Sequence, residues 1–301
     1  MASTPTRRGL IAAATAGLAL PRGAARAAEA PLLALESAMP ARHPARGATL
    51  GPLARRLAAA TGMQVAVVAP GQPVPPGSLR LRHGGLAWGW ETPFPGAGLF
   101  GGFAFGMTPG ELAGWIGTPA ARRLWEEGFA AAGLWAVPCG VQASFGATWW
   151  PGPIGTEAGL RMRARPGITS AAWELLGVRR VDDAGVAAED EAARWSAAAP
   201  GGGAACRRLP FAFGAVLDVA LPVQVHAALP ATLRRGIARA CAEGLGVGAA
   251  GIAVAEGMPL PQAVALALAD AAGEVLPRIA GGVPAALAGY ADARRRMAWA
   301  G

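Results

Sequence analysis

The chain has 301 residues with 27 basic and 19 acidic side chains, a formal charge of +8, and arginine at every basic position. Four of the arginines lie in the first 27 residues, which hold no acid, so the remainder carries about +4 (8 − 4) and is long enough for one large domain or two lobes. The other arginines are scattered in pairs rather than gathered on one stripe, which argues against a nucleic-acid partner.

The N-terminus has the composition of an export signal. Arg7 and Arg8 precede an apolar run from Gly9 to Leu20, and Ala25-Arg26-Ala27 is a small-x-small cleavage pattern. As a helix the run would span only about 18 Å, short of the ~30 Å hydrocarbon core, so a signal peptide is favoured over a membrane anchor. The arginine pair favours the twin-arginine route. We therefore expect residues 1–27 to be removed on export to the periplasm.

Strand and helix patterns alternate at the start of the mature chain. Pro31–Glu36 predicts a strand, Leu50–Thr61 predicts an amphipathic helix that Gly62 ends, and Met63–Val68 predicts a second strand. Strand, helix and strand within about 38 residues predict a βαβ unit. The helix is expected to turn Arg55 and Arg56 outward.

Further elements follow in the same alternation. Thr108, Pro109 and Glu111 predict a helix that begins with a capping box. Thr118 is the predicted N-cap of the next helix, which extends to about Ala132. Strands are predicted at 134–137 and 161–164, and helices at 170–176, 229–243, 261–276 and 283–299. This alternation predicts an α/β fold with mostly parallel sheets.

The chain lacks the motifs of covalent or phosphoryl-transfer chemistry. No G-x-S-x-G, Walker A, H-E-x-x-H or C-x-x-C motif occurs, and no nucleophile–base pair is evident, so we expect no enzyme activity. Cys139, Cys206 and Cys241 are far apart and show no metal-ligand spacing with the histidines. In an oxidising compartment they allow one disulfide at most, and buried free thiols are the favoured alternative. His226, beside a predicted helix start, is expected to be a cap or a surface group.

Four segments in a fixed order form a specific pattern. They are Phe105–Trp115 (F-G-M-T-P-G-E-L-A-G-W), Val137–Gly140 followed by Trp149-Trp150, Gly159–Arg163 (G-L-R-M-R) and Leu229–Ala240. This pattern resembles the substrate-binding subunits of TRAP (tripartite ATP-independent periplasmic) transporters, in particular the subclass for 2-oxo acids and related monocarboxylates. The resemblance implies a two-lobed periplasmic binding protein, a clamshell with a long bridging helix, in which the lobes exchange chain segments within residues 28–301 and close on a ligand.

The resemblance implies that Arg163, the last residue of G-L-R-M-R, holds the ligand carboxylate. Its guanidinium is a planar fork of donors that matches two carboxylate oxygens. The alternative is a solvated arginine at a strand end, which is expected of Arg161 and Arg165.

Aromatic side chains are expected to line the cleft at the positions where the family places its ligand walls. They are Phe145, Trp149, Trp150 and Trp195, with packing in a core as the alternative for Trp150. In the subclass a glutamine stands where this chain has Phe145, and Gln142 lies three residues earlier, so Gln142 is a further candidate.

The resemblance also implies a metal ion held in part by a glutamate of a D-A-A-E-W segment. The matching residues are Glu191-Ala192-Ala193-Arg194-Trp195, so an arginine replaces the carboxylate ligand. Because a cation does not coordinate a cation, we expect no cofactor and hypothesise that Arg194 substitutes for the metal, clamping the ligand opposite Arg163. The alternative is an exposed Arg194 that pairs with Glu191 or Asp190.

The implied function is that of an extracytoplasmic receptor. It would capture a small carboxylate and deliver it to the membrane subunits of a TRAP transporter. A divergent family member that no longer binds solute and has a scaffold role is the alternative, and a cleft filled by Phe145, Trp149 and Trp195 would indicate it.

Overall fold

The computed structural model describes residues 32–43, 45–84, 94, 96–103, 105–144, 146–150, 160–164, 167–181, 188–190, 205–209, 212–246 and 257–279. These ranges contain eleven strands and seven α-helices, arranged around two sheets. The predicted signal segment and the predicted helix 283–299 lie outside them.

The first sheet has five strands in the order β2-β1-β3-β10-β4. Their bounds are Leu32–Ser37 (β1), Gln64–Val68 (β2), Leu79–His83 (β3), Leu134–Ser144 (β4) and Phe213–Pro222 (β10). Strands β1, β2 and β3 are parallel to one another, whereas β10 is antiparallel to both β3 and β4. The predicted βαβ unit is confirmed, with α1 (Arg46–Thr61) joining β1 to β2 and ending at Gly62 in the left-handed conformation (φ +70°).

The second sheet has six short strands in the order β11-β9-β5-β8-β6-β7. Their bounds are Thr148–Trp150 (β5), Arg161–Arg163 (β6), Arg179–Arg180 (β7), Ala188–Asp190 (β8), Ala205–Arg208 (β9) and Met258–Pro259 (β11). It mixes parallel and antiparallel pairs.

The remaining helices are α2 (Pro109–Ile116), α3 (Pro119–Ala131), α4 (Ile168–Leu175), α5 (Val223–Ala228), α6 (Ala231–Gly246) and α7 (Gln262–Ile279). The predicted capping box is confirmed, because Glu111 accepts from the Thr108 backbone N–H (2.7 Å) and Thr108 Oγ1 accepts from the Glu111 N–H. Thr118 caps α3 as predicted by accepting from the Ala121 N–H. In the described part of the chain, no helix is long and apolar enough to cross a membrane.

Three hydrophobic clusters build the interior, and β10 contributes to all of them. Side chains alternate along a strand, so Val216 packs into a first cluster, built around Phe100 and Trp125, and Leu217 into a second, built around Leu35 and Leu57. A third cluster covers the second sheet; its members are Trp150, Met162, Ala172, Trp173, Val178, Ala188, Leu209, Phe213, Leu260, Val264, Leu268, Ala271 and Ala272.

Helix α7 joins the two halves of the structure. Its residues Val264, Leu268 and Ala272 pack into the third cluster, whereas Val275, further along the helix, packs into the first. The 18-residue helix therefore connects the cores of the two halves, as a bridging helix does.

Two chain connections between the sheets begin or end at neighbouring residues of the first sheet. Residues 145–147 lead from β4 to β5, and residues 209–212 lead from β9 to β10. Ser144, at the end of β4, lies opposite Phe213, at the start of β10. The chain thus leaves the first sheet and returns to it at neighbouring residues.

Two expectations about individual elements are wrong. Strand β4 has 11 residues rather than the predicted four, because it continues antiparallel to β10 along its whole length. Arg55 is exposed as expected, but Arg56 is half-buried, with its Nε atom enclosed where α1 packs against α6.

Candidate ligand-binding site

Arg163 stands at the end of β6, inside the second sheet. Its neighbour Met162 is 1% exposed and belongs to the third cluster, so side-chain alternation turns Arg163 to the opposite face. Arg163 is half-buried and its Nε atom is enclosed, whereas Arg161 on the same strand is exposed. The two arginines of the motif therefore differ in their exposure to solvent.

Trp149 lies on the same face of this sheet, close to Arg163. Arg163 is the register partner of Glu189 on β8, and Glu189 is also the register partner of Trp149 on β5. Arg163 and Trp149 are thus separated by one intervening strand, or roughly 9.6 Å between Cα atoms at ~4.8 Å per strand. Trp149 is 7% exposed, so its ring is buried in the protein rather than exposed at the surface.

Trp150 does not belong to this face, so the expectation that it lines the cleft is wrong. Its ring lies in the third cluster, in an edge contact with Trp173 at a centroid distance of 5.7 Å. Its Nε1–H donates to Thr148 Oγ1 over 2.8 Å, which satisfies the only polar atom of the side chain. The period-2 alternation of β5 separates Trp150 from Trp149.

Gln142 is 3% exposed on β4, opposite Ala215 and two residues before the end of the strand. Its position is therefore beside the crossing between the sheets. The other predicted site residues, Phe145, Arg194 and Trp195, lie outside the described residues.

The metal that the resemblance implies requires a set of donor side chains. Within the described residues, no three or more His, Cys, Asp and Glu side chains are placed to hold a metal ion together. The segment 191–195, to which the resemblance assigns the metal, is not among them.

Sequence reasoning missed a row of buried polar side chains at the carboxyl ends of the first sheet's parallel strands. Ser37 and His83 end β1 and β3, and Ser37 Oγ lies 3.2 Å from His83 Nδ1. Asp218 lies on the neighbouring β10, and its backbone carbonyl accepts from the Gly84 N–H. All three side chains are at most 1% exposed. The available signal is Asp218 itself, the one charged residue in the apolar run 213–222.

Burial controls the ionisation of this row. Loss of hydration, helped by the positive charge of Arg46, lowers the pKa of His83 to about 3, so the imidazole is neutral at physiological pH. Burial raises the pKa of the Asp218 carboxyl to about 7. In the described part of the chain, neither carboxyl oxygen of Asp218 has a hydrogen-bond partner, and His83 Nε2 has none either.

This arrangement of two α/β lobes, paired crossings and a helix shared by both cores defines the fold of a two-lobed periplasmic binding protein. Its structural neighbours are TRAP periplasmic solute-binding proteins, which confirms at the level of the fold the resemblance drawn from the four motifs. One from Bordetella bronchiseptica RB50, with calcium and picolinate bound, has a TM-score of 0.66 at 16% identity and covers 89% of this chain and 93% of its own.

Two further neighbours extend the comparison. The protein from Pseudoalteromonas atlantica T6c, with sodium and pyruvate, has a TM-score of 0.65 at 16% identity over 90% of this chain and 96% of its own. The protein from Rhodoferax ferrireducens, with malonate, has a TM-score of 0.60 at 12% identity over 88% and 98%. No protein-family model and no curated protein sequence matches the chain.

Proposed function

We propose that the protein is the extracytoplasmic solute receptor of a TRAP-type secondary transporter and binds a small organic acid without catalysing a reaction. The observation that carries the proposal is a TRAP receptor fold over about nine-tenths of the chain, with an enclosed arginine at the position of the G-L-R-M-R motif. Neighbours of this fold hold pyruvate, malonate or picolinate. In this proposal an N-terminal signal directs the chain to the periplasm, and the membrane subunits of the transporter receive the solute.

The proposed anchor is Arg163. A guanidinium that is partly withdrawn from water binds a carboxylate more strongly than an exposed one, because solvent screens the interaction less. Trp149, on the same face about two strands away, supplies an apolar wall for the rest of a small ligand. A charged anchor and a large apolar wall fit a small organic acid.

Lobe closure would complete the site. The two adjacent crossings at Ser144 and Phe213 let the second sheet rotate relative to the first while few backbone torsions change. Helix α7 packs on both lobes and limits the direction of this motion. A ligand that contacts both lobes then shifts the population toward the closed form.

The proposal includes Arg194 as the replacement for the metal that neighbours bind. An arginine at the position of the metal-ligating glutamate brings a positive charge to nearly the same place. Two unit positive charges about 5 Å apart repel by roughly 3 kcal/mol at an effective dielectric constant of about 20, and an anion between them reverses the sign. The empty receptor would then favour the open form and the loaded receptor the closed form.

A thermal-shift and calorimetry screen of the mature protein tests the proposal. The probes are pyruvate, malonate and picolinate, each with and without a metal chelator. A ligand at 100 times its dissociation constant adds about 2.7 kcal/mol to the free energy of unfolding. If no small carboxylate raises the melting temperature or releases heat, the receptor function is wrong and the scaffold role takes its place.

A further inference from the structure

Helix α6 lies directly on strand β4, at Cys139. The approach is so close that a methyl group added at Gly244 would overlap the carbonyl oxygen of Cys139 and would lie 2.8 Å from a guanidinium nitrogen of Arg56. Only a glycine permits this contact between helix and strand. Cys241 precedes Gly244 by three residues, so both face β4 from adjacent turns of the helix.

This packing brings two cysteine thiols together. Cys139 is 4% exposed, Cys241 is 0% exposed, and both belong to the second cluster. The structure holds them as thiols, close enough for their side chains to interact. The third cysteine, Cys206, lies on β9 in the other sheet.

The backbone of β4 gives Cys139 an unusual position. Gly140 is the register partner of Leu217, and Pro138 is the register partner of Asp218, so Cys139 is the extra residue of a bulge. Because a bulge re-aims its side chain, Cys139 points toward the helix layer rather than along a regular ladder. Its membership in the cluster that contains Ile237 and Ala240 of α6 agrees with this orientation.

We propose that Cys139 and Cys241 form a disulfide bond that fastens helix α6 to the bulge of β4. The two thiols lose two protons and two electrons as the sulfur–sulfur bond forms. The acceptor is the disulfide of a thiol–disulfide oxidoreductase, which becomes a dithiol by way of a mixed disulfide. The sequence allows one disulfide at most among three cysteines, and the packing selects this pair.

The bond would close a loop of roughly 100 residues that contains strands β5 to β10. A cross-link over so long a loop restricts the unfolded chain strongly and stabilises the folded state accordingly. The chain that forms the lobe with Arg163 would thus start and end near two residues of the other lobe, Cys139 and Cys241, that a disulfide joins.

Access to the thiols determines when the bond forms. The interaction with the Cys241 side chain and burial both raise the pKa of Cys139, so the reactive thiolate is scarce while α6 is docked. Oxidation therefore requires that α6 leave β4, and it is fast during folding and slow in the native protein.

The choice of this pair rests on packing and not on solute binding. Only the oxidising environment depends on the proposed periplasmic location. An oxidant supplied in solution therefore tests the pairing even if the proposed function fails, and solute binding is measured separately on the same sample.

The experiment refolds the reduced mature protein in glutathione disulfide, denatures it without reductant and alkylates it with a maleimide-polyethylene glycol. We expect one alkylated cysteine, Cys206, against three after reduction, and a cross-linked peptide that contains Cys139 and Cys241. Reduction should lower the melting temperature by about 5–10 °C in wild type and in Cys206→Ser, but not in Cys241→Ser. Three alkylated cysteines after refolding, or a cross-link through Cys206, would overturn the proposal; peptide mapping of wild type decides the question even if Cys241→Ser does not fold.

Discussion

Arg163 and Trp149 occupy the same rung of the second sheet, on the two strands that flank β8. The residues adjacent to them on these strands face the other way, since Met162 and Trp150 both lie in the third cluster. One face of the sheet therefore builds the core of the lobe, and the other carries the half-buried Arg163 and the buried Trp149, two strands apart. This division motivates the first prediction.

Arg163→Ala should weaken binding of a small carboxylate by about 2–5 kcal/mol, because the ligand's charge would be left desolvated and without a partner. Isothermal titration calorimetry measures the change. Arg161→Ala is the matched control, with the same loss of charge two residues away on the same strand at an exposed position. Unchanged affinity in Arg163→Ala would remove this residue from the site.

We expect wild type to bind its ligand without a metal and Arg194→Glu to require a divalent cation or not to bind. The variant restores the carboxylate that the resemblance assigns to the metal. Titration of ligand in the presence of a chelator should leave wild-type affinity unchanged. If the chelator abolishes wild-type binding, a metal site persists in this chain and Arg194 does not replace it.

Gly244→Ala should destabilise the protein by about 1–3 kcal/mol or more, because the added methyl group overlaps the Cys139 carbonyl and forces α6 away from β4. Gly246→Ala, at the end of the same helix, has open space around the new methyl group and is the control. It should be neutral or slightly stabilising, since alanine favours the helix. Equal melting temperatures for the two variants would contradict the close contact.

Asp218→Asn should stabilise the protein increasingly as the pH rises. The folded state holds the Asp218 pKa at about 7, above the ordinary 3.8, so the contribution of this group to stability is present below pH 3.8 and is lost as the pH approaches 7. Three pKa units correspond to on the order of 4 kcal/mol as an upper bound.

Because His83 also changes the stability with pH, the test of Asp218 must compare the variant with wild type at each pH. Its folded pKa of about 3 lies below 6.5, so its contribution is lost as the pH falls from 6.5, which opposes the effect of Asp218. Urea titrations of wild type and Asp218→Asn at several pH values cancel the His83 effect. The difference in the free energy of unfolding between Asp218→Asn and wild type should grow between pH 4 and 7 and then level off. A difference that does not change with pH, equal to that of the exposed control Asp270→Asn, would refute the prediction.

Local signals predicted the helices well and the strands unevenly. The caps at Thr108 and Thr118 are short-range interactions, so their residues suffice to predict the helix starts. Strand β10 was missed because it is buried on both faces and shows no alternation of apolar and polar residues. The strands of the second sheet have only two to four residues and depend on partners distant in sequence.

In the candidate site too, local sequence predicts some residues, whereas others depend on contacts between distant segments. The motif around Arg163 names the ligand anchor, which stays a prediction, and the alternation of side chains along β5 separates Trp149 from Trp150. The polar row of Ser37, His83 and Asp218 depends on three strands from distant parts of the chain meeting at one edge. No pattern within any one segment indicates that meeting.

Strand β10 contributes to all three hydrophobic clusters, yet about 130 residues separate it from β3, its neighbour in the first sheet. A ribosome must therefore synthesise more than two-thirds of the chain before either lobe can complete its core. Contacts between such distant segments make folding slow and leave apolar surface exposed meanwhile. The nascent protein is consequently expected to depend on a chaperone until β10 inserts.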